Sequence, residues 1–228
     1  MNVISYINGD ERITDFPATS ARPLASFIQL CNDLLAGPDG YLSVEDSLLV
    51  LDLGWLTVGT ADVADAVMHA WVTKLLISPL WGVVDYAQSD ASAQAIADIA
   101  ELHRKLSPGD TPQIGAWDSA ARAARELSAL MPVGAEKYAV RAAYQSTSLV
   151  HTDDWETLDA VTGNALRAHR LANGDTGGAG RIVEVTRNAI RSWRHTAGLS
   201  VVGSSPTPVA AVAQGKHVNS LTGSPSLR

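Results

Sequence analysis

Hydrophobic residues recur at three- and four-residue spacing through most of this 228-residue chain, the pattern of helices that bury one face. The first clear stripe is Leu24, Phe27, Ile28, Cys31, Leu34 and Leu35. Pro23 stands where a first helical turn accepts it, and Gly37-Pro38-Asp39-Gly40 stops the helix. Ser43 is placed to cap the next helix, with Glu45 and Asp46 in its first turn. Residues 47–56 are then apolar nearly all round, which predicts a central, buried helix. Thr60 or Asp62 opens a third helix through Val63, Val67, Trp71 and Leu75, ending at Pro79. Ser89 or Asp90 opens a fourth, with Ile96, Ile99, His103 and Leu106 on one stripe, ended by Ser107-Pro108-Gly109. Trp117, Ala120, Ala121, Ala124, Leu127 and Leu130 mark a fifth, stopping before Pro132. A sixth covers 135–145, and Thr152 caps a seventh over 153–171. Beyond a glycine-rich loop at 173–180, an eighth carries Ile182, Val185, Ala189, Ile190 and Trp193 on one face.

No segment alternates with period two between turn signals, so little sheet is expected. The fold class is all-α: a bundle of about seven or eight helices over residues 23–198. Residues 1–22 carry turn and cap residues without helical period and read as an extended N-terminal arm. Residues 199–228 are rich in Ser, Pro, Gly and Thr and read as an irregular C-terminal tail without a core of its own.

Composition narrows the class. A hydrophobic content of 46% excludes disorder over the whole length, and a single cysteine, Cys31, excludes a disulfide framework. Cys31 lies on the buried stripe of its helix, where a thiol acts as a small hydrophobe. The longest apolar stretch, 66–84, is interrupted by His69, Lys74 and Pro79, so no membrane partner is expected. The first residues, MNVISYINGDER, lack a basic start followed by an apolar run, so the chain is expected in the cytoplasm or a virion and not secreted.

Charge changes the picture more. The net charge is −7, but residues 1–102 hold 14 acids against Arg12, Arg22 and Lys74, a net −11. Residues 103–228 hold 10 acids against 14 bases, a net +4. Arginine supplies 13 of the 17 bases, and its planar fork grips phosphate or carboxylate in a way lysine cannot. Arg167 and Arg170 stand three apart near the end of the seventh helix. Arg187, Arg191 and Arg194 come at i, i+4 and i+7 on the eighth, opposite its apolar stripe. With Arg181 they make six arginines against Asp175 and Glu184. Such a patch can track a phosphate backbone, with Trp193 or His169 able to stack on bases. The loop GDTGGAGR offers free backbone N–H groups ahead of a helix, but matches no nucleotide-binding motif.

Other chemistry is not encoded at recognisable spacing. The six histidines show neither H-x-x-x-H nor H-E-x-x-H. His103, on an apolar stripe, reads as a hydrogen-bonded core residue. The segment around Asp39 to Ser43 would place Leu35 and Gly37 at calcium-ligand positions. No nucleophile elbow and no C-x-x-C occurs. No metal, cofactor or catalytic residue is therefore assigned, and the protein is read as a non-enzyme.

The segment Pro23-Leu24-Ala25-Ser26-Phe27-Ile28-Gln29-Leu30-Cys31-Asn32-Asp33-Leu34-Leu35 resembles the start of the first helix in coat proteins of rod-shaped plant RNA viruses of the tobamovirus kind. Arg191-Ser192-Trp193-Arg194-His195-Thr196-Ala197-Gly198-Leu199 and the tail after it are similar in kind to the C-termini of those proteins. The resemblance implies a helical subunit that coats single-stranded RNA through arginines. Two departures stand beside it: the second helix, 43–56, has no arginine, and eight helices exceed that family's bundle.

The leading expectation is a self-assembling structural protein, a viral coat or nucleocapsid-like subunit. Its arm and tail would lie on neighbouring copies, and Arg167, Arg170, Arg181, Arg187, Arg191 and Arg194 would neutralise single-stranded RNA. The alternative is a cytoplasmic bacterial helical-bundle module, an immunity or regulatory protein. Its acidic half, with Asp10, Glu11, Asp15, Asp33 and Asp39, would take a basic protein partner.

Overall fold

The structure is a computed structural model and describes residues 1–106, 110–150 and 155–199. The helix stop at 107–109, the cap at Thr152 and the tail from 200 onward lie outside the described residues. The α-helices are α1 (Asn2–Asn8), α2 (Arg22–Leu35), α3 (Val44–Leu56), α4 (Asp65–Ile77), α5 (Asp90–Leu106), α6 (Ile114–Leu130), α7 (Ala135–Ser146) and α8 (Trp155–Thr196). Short 3-10 turns cover Val83–Tyr86 and Thr147–Val150. Among the described residues there is no strand, only an isolated antiparallel bridge between Ser20 and Val58. The all-α reading holds. Among the described residues, no helix is long and apolar enough to cross a membrane.

The helix starts obey local chemistry. Ser43 caps α3: its hydroxyl oxygen accepts the Asp46 N–H at 3.0 Å, and the hydroxyl donates to the Asp46 carboxylate at 2.7 Å. Ser89 accepts the Ser92 N–H at 3.2 Å at the head of α5. Glu136, from α7, accepts the backbone N–H groups of Gln88 and Ser89 and the hydroxyl of Ser92. One carboxylate thus ties the α5 start to another helix. Burial opposes its charge, but these donors together hold it below the ordinary glutamate value.

Four expectations need correction. Residues 1–22 are not an extended arm throughout. They open with α1, whose Ile4 is buried against Gly54 of α3; a Cβ at Gly54 would stand 3.1 Å from the Ile4 Cγ1. Seven residues are too few for a helical period to register, and one buried isoleucine docks the element. Second, α3 is not central. Val50, Leu53 and Gly54 are buried, but Val44 is 82% exposed and Leu48 59%. The central helix is α4, which buries Trp71, Val72, Leu75 and Leu76 and packs against both α5 and α8.

Third, neither Thr60 nor Asp62 caps α4, which begins at Asp65 with Ala64 before it. Thr60 serves α2 instead: its hydroxyl oxygen accepts the Ala21 N–H at 2.9 Å. Asp62 holds φ 58°, a left-handed conformation that keeps the helix from starting there. Fourth, 173–180 is not a loop. The backbone is helical on either side of a single break at Gly174, with φ 63° and ψ −175°, a conformation open mainly to glycine.

That break reverses the chain. A straight helix of 42 residues would be about 63 Å long. Yet Leu158 and Trp193 line the same cavity, and a Cβ at Gly178 would stand 3.6 Å from the Arg170 carbonyl oxygen. Residues eight apart on one helix are about 12 Å apart along its axis. Hence α8 is a hairpin of two antiparallel helices, packed along α7 and α2 and also against α4. Its second half buries Ile182, Val185, Ala189, Ile190 and Trp193, the predicted stripe.

At the end of α4 the chain turns under Gly82, whose N–H donates to the Ser78 carbonyl at 2.7 Å. A Cβ there would meet the Ser78 nitrogen at 2.4 Å and the Ile77 carbonyl carbon at 2.8 Å. Both are backbone atoms, so neither can swing away. Gly82→Ala is expected to lower stability by about 1–3 kcal/mol through this overpacking, measured as a lower urea midpoint. An unchanged midpoint would mean the turn is looser than this geometry.

Candidate functional site

The six arginines all lie on α8, and the structure divides them by what they touch. Arg194 reaches the C-terminal end of α3, its Nη1 donating to the carbonyls of Leu56 at 3.3 Å and Val58 at 3.0 Å. Arg181 donates from Nη2 to the Leu80 carbonyl at 3.1 Å, and its Nη1 stands 3.1 Å from the Glu184 carboxylate. These two hold α8 to the α3 and α4 ends of the bundle. Arg167, Arg170 and Arg191 are exposed, and Arg187 is half-buried. The hairpin brings Arg167 and Arg170, near its tip, onto the same element pair as Arg187 and Arg191. The sequence patch of six is therefore a surface set of four and a structural pair.

The two aromatic residues read as base-stacking partners are not available. Trp193 is buried and donates its indole N–H to the Thr60 carbonyl at 3.1 Å. His169 is fully buried between Tyr86 and Trp81. Each sits on the inward stripe of α8, because helical spacing placed it in phase with the apolar residues.

The buried histidines form two hydrogen-bonded groups whose tautomers are set by their partners. The Trp81 carbonyl can only accept, so His169 Nε2 carries the proton at 3.1 Å. His169 Nδ1 then accepts the Tyr86 hydroxyl at 2.6 Å. Burial, with the Arg181 charge adding, drives the His169 pKa down to about 4. In the second group, Ser146 spends its hydroxyl proton on the Ala143 carbonyl at 2.7 Å. His103 Nε2 must therefore donate to Ser146 Oγ at 3.0 Å, leaving its Nδ1 as acceptor for the His69 Nδ1–H at 2.9 Å. Burial, then the neighbouring His69, drives the His103 pKa down to about 3. Burial also lowers that of His69. His103 is the hydrogen-bonded core residue the stripe predicted.

The rings of His103 and His169 are fully buried and hydrogen-bonded to protein partners at both nitrogens, so their role is structural. Cys31 is likewise buried, its thiol pushed up to about 11 chiefly by burial, and is no nucleophile. Among the described residues, no group of three His, Cys, Asp or Glu side chains is close enough to hold a metal ion.

The sequence offered no sign of a cavity of about 360 Å³ between the 16–23 and 60–65 segments and the open end of the α8 hairpin. Phe16, Met68, Leu158 and Trp193 wall it, with Arg22 and Asp62 among its polar groups. The Arg22 guanidinium lies over the Phe16 ring, 4.1 Å from its centre. The cavity joins four separate stretches of chain, one of which turns through the left-handed Asp62.

No known protein family, no curated protein and no solved structure matches the chain.

Proposed function

We propose that the protein is a self-assembling structural subunit that binds single-stranded RNA through the outer face of α8. The observation that carries this reading is the outward set Arg167, Arg170, Arg187 and Arg191 on one helical hairpin, three of them exposed. Arginines on a rigid hairpin meet phosphates with forked contacts and little ordering cost. With both candidate stacking residues buried, recognition rests on the RNA backbone and not on its sequence. The resemblance of residues 23–35 to rod-shaped virus coat proteins points the same way.

Self-assembly is supported by charge polarity. Residues 23–73 carry seven acids and no Lys or Arg, and Glu11, Asp15, Asp33 and Asp39 are placed in or beside that acidic part. A subunit acidic on one part and arginine-rich on another complements a second copy head to tail, a contact that builds rings or filaments. The same acidic surface suits a basic protein partner, the second reading.

The test is a salt titration of binding to an oligouridine single strand. Each phosphate contact contributes a slope of about 0.7 in log affinity against log salt. Replacing Arg167, Arg170, Arg187 and Arg191 together by alanine is expected to flatten the slope by about 3. Arg194→Ala should shift thermal stability and leave the slope alone. Absence of RNA binding at low salt, with a monodisperse monomer by light scattering, would sink this reading in favour of the protein-binding module.

A further inference from the structure

The strongest feature outside α8 is an apolar face formed by α1 and α3. On α3, Val44 and Leu48 are exposed, and Leu51 and Trp55 are half-buried. The spacing of these four, i, i+4, i+7 and i+11, makes one continuous stripe. On α1, Val3, Tyr6 and Ile7 are exposed. A groove of about 230 Å³ joins the two helices, with Val3, Ile4, Ile28, Val50 and Leu51 among its walls. Exposed apolar side chains gathered on adjoining helices in this way mark an interaction surface.

Charge narrows what that segment can be. Glu45 and Asp52 lie on α3 beside this stripe and Asp39 precedes the helix, in a stretch from 23 to 73 that contains no Lys or Arg. A second copy laying its own α3 on this face would bring like charges together. This charge favours an occupant that is apolar and free of acids. Residues 200–228 meet both conditions: they contain Lys216 and Arg228, no Asp or Glu, and the run Val209-Ala210-Ala211-Val212-Ala213.

The exit point of the chain makes the same selection. The end of α8 is held beside the end of α3 by the Arg194 bonds to Leu56 and Val58 and the Trp193 bond to Thr60. Leu48 lies eight residues back from Leu56, about 12 Å along α3. Val209 comes ten residues after Leu199, a reach of up to about 33 Å. Ten residues of chain are therefore long enough to span from the end of α8 to α3, and tethering would give such a segment a high effective concentration there.

We propose that residues 209–213 seat on the α1–α3 face of their own subunit, with Lys216 over the acidic flank. The inference stands independently of RNA binding.

Cross-linking in the full-length protein tests it. Leu48→Cys combined with Val212→Cys is expected, on mild oxidation, to give an intramolecular disulfide in most of the protein. The product should have monomer mass and altered gel mobility. Cys31 does not compete, being buried. The control pairs Val212→Cys with Leu130→Cys, an exposed position on α6, whose neighbours are α5 and α7. Equal yield from both pairs would overturn the proposal. So would adducts between subunits, which would place the tail on a neighbour, or dimers from Leu48→Cys alone, which would place a second copy on the face. As a second readout, Val209→Asp with Val212→Asp should speed amide exchange in α1 and α3 at least several-fold. Unchanged exchange would also overturn it.

Discussion

Trp71→Ala is expected to cost about 3–5 kcal/mol, much of the roughly 5–15 kcal/mol that holds a domain of this kind together. Trp71 is fully buried at the centre of α4. Its ring meets Phe27 edge-on at 5.5 Å and Trp193 at 5.6 Å, and lies tilted against Trp81 at 6.0 Å. Its indole N–H donates to the Ala189 carbonyl at 2.9 Å. One side chain thus joins α2, α4, the turn after α4 and the second half of α8. Alanine would leave a cavity that rigid helices cannot close, while Trp71→Phe should cost less, keeping ring contacts and losing the hydrogen bond. Urea unfolding of both variants measures the order. Equal costs would mean that the hydrogen bond, and not packing, dominates at this position.

Acidification from pH 7 to 5 is expected to remove about 4 kcal/mol of stability. His103 and His169 have folded pKa values of about 3 and about 4, below the ordinary 6.5. Across this window the unfolded chain takes up protons that the folded chain refuses, so stability falls with falling pH. The stability is complete above about 6.5 and is lost as pH drops toward the folded values, at about 1.4 kcal/mol per unit for each ring. His69, also depressed, acts in the same direction. Glu136 contributes to the loss chiefly below the ordinary carboxylate value, so pH 5 chiefly reads the histidines. Burial is the main reason the rings resist protonation. A proton on His103 Nδ1 would in addition face the His69 Nδ1–H at 2.9 Å, and a charged His169 would face the Arg181 guanidinium charge. Urea midpoints at the two pH values check this; a pH-independent midpoint would mean the rings are hydrated.

The helical stripes were legible because each helix buries one face, and burial writes a period into the sequence. The eighth helix shows this best: Ile182, Val185, Ala189, Ile190 and Trp193 were read from spacing and are all buried. Ser43 was legible as a cap because capping is a contact within a few residues. Failures came where the deciding contact was distant. Thr60 looks like an N-cap for the helix after it, but its hydroxyl serves Ala21, 39 residues earlier. The glycine-rich segment 173–180 reads as a loop from composition, although a single residue there needs glycine. The arginine set was legible as a group, but its division was not. Arg181 and Arg194 differ from Arg167 and Arg191 in reaching backbone carbonyls at or just beyond the ends of α3 and α4.

By itself, the sequence determined the class of fold, the positions of most helices, the inward stripe of α8 and the split between an acidic and an arginine-bearing part. These come from periodicity, caps and charge counts, which act over a few residues or over the whole chain. Tertiary structure decided which helix is central, that α8 doubles back, which arginines face outward and which apolar face stays uncovered. Each of these depends on a partner far away in sequence. The apolar-rich stretches of α3 and α4 carry similar local signals, and the packing of α4 against α5, and more closely than α3 against α8, tells them apart.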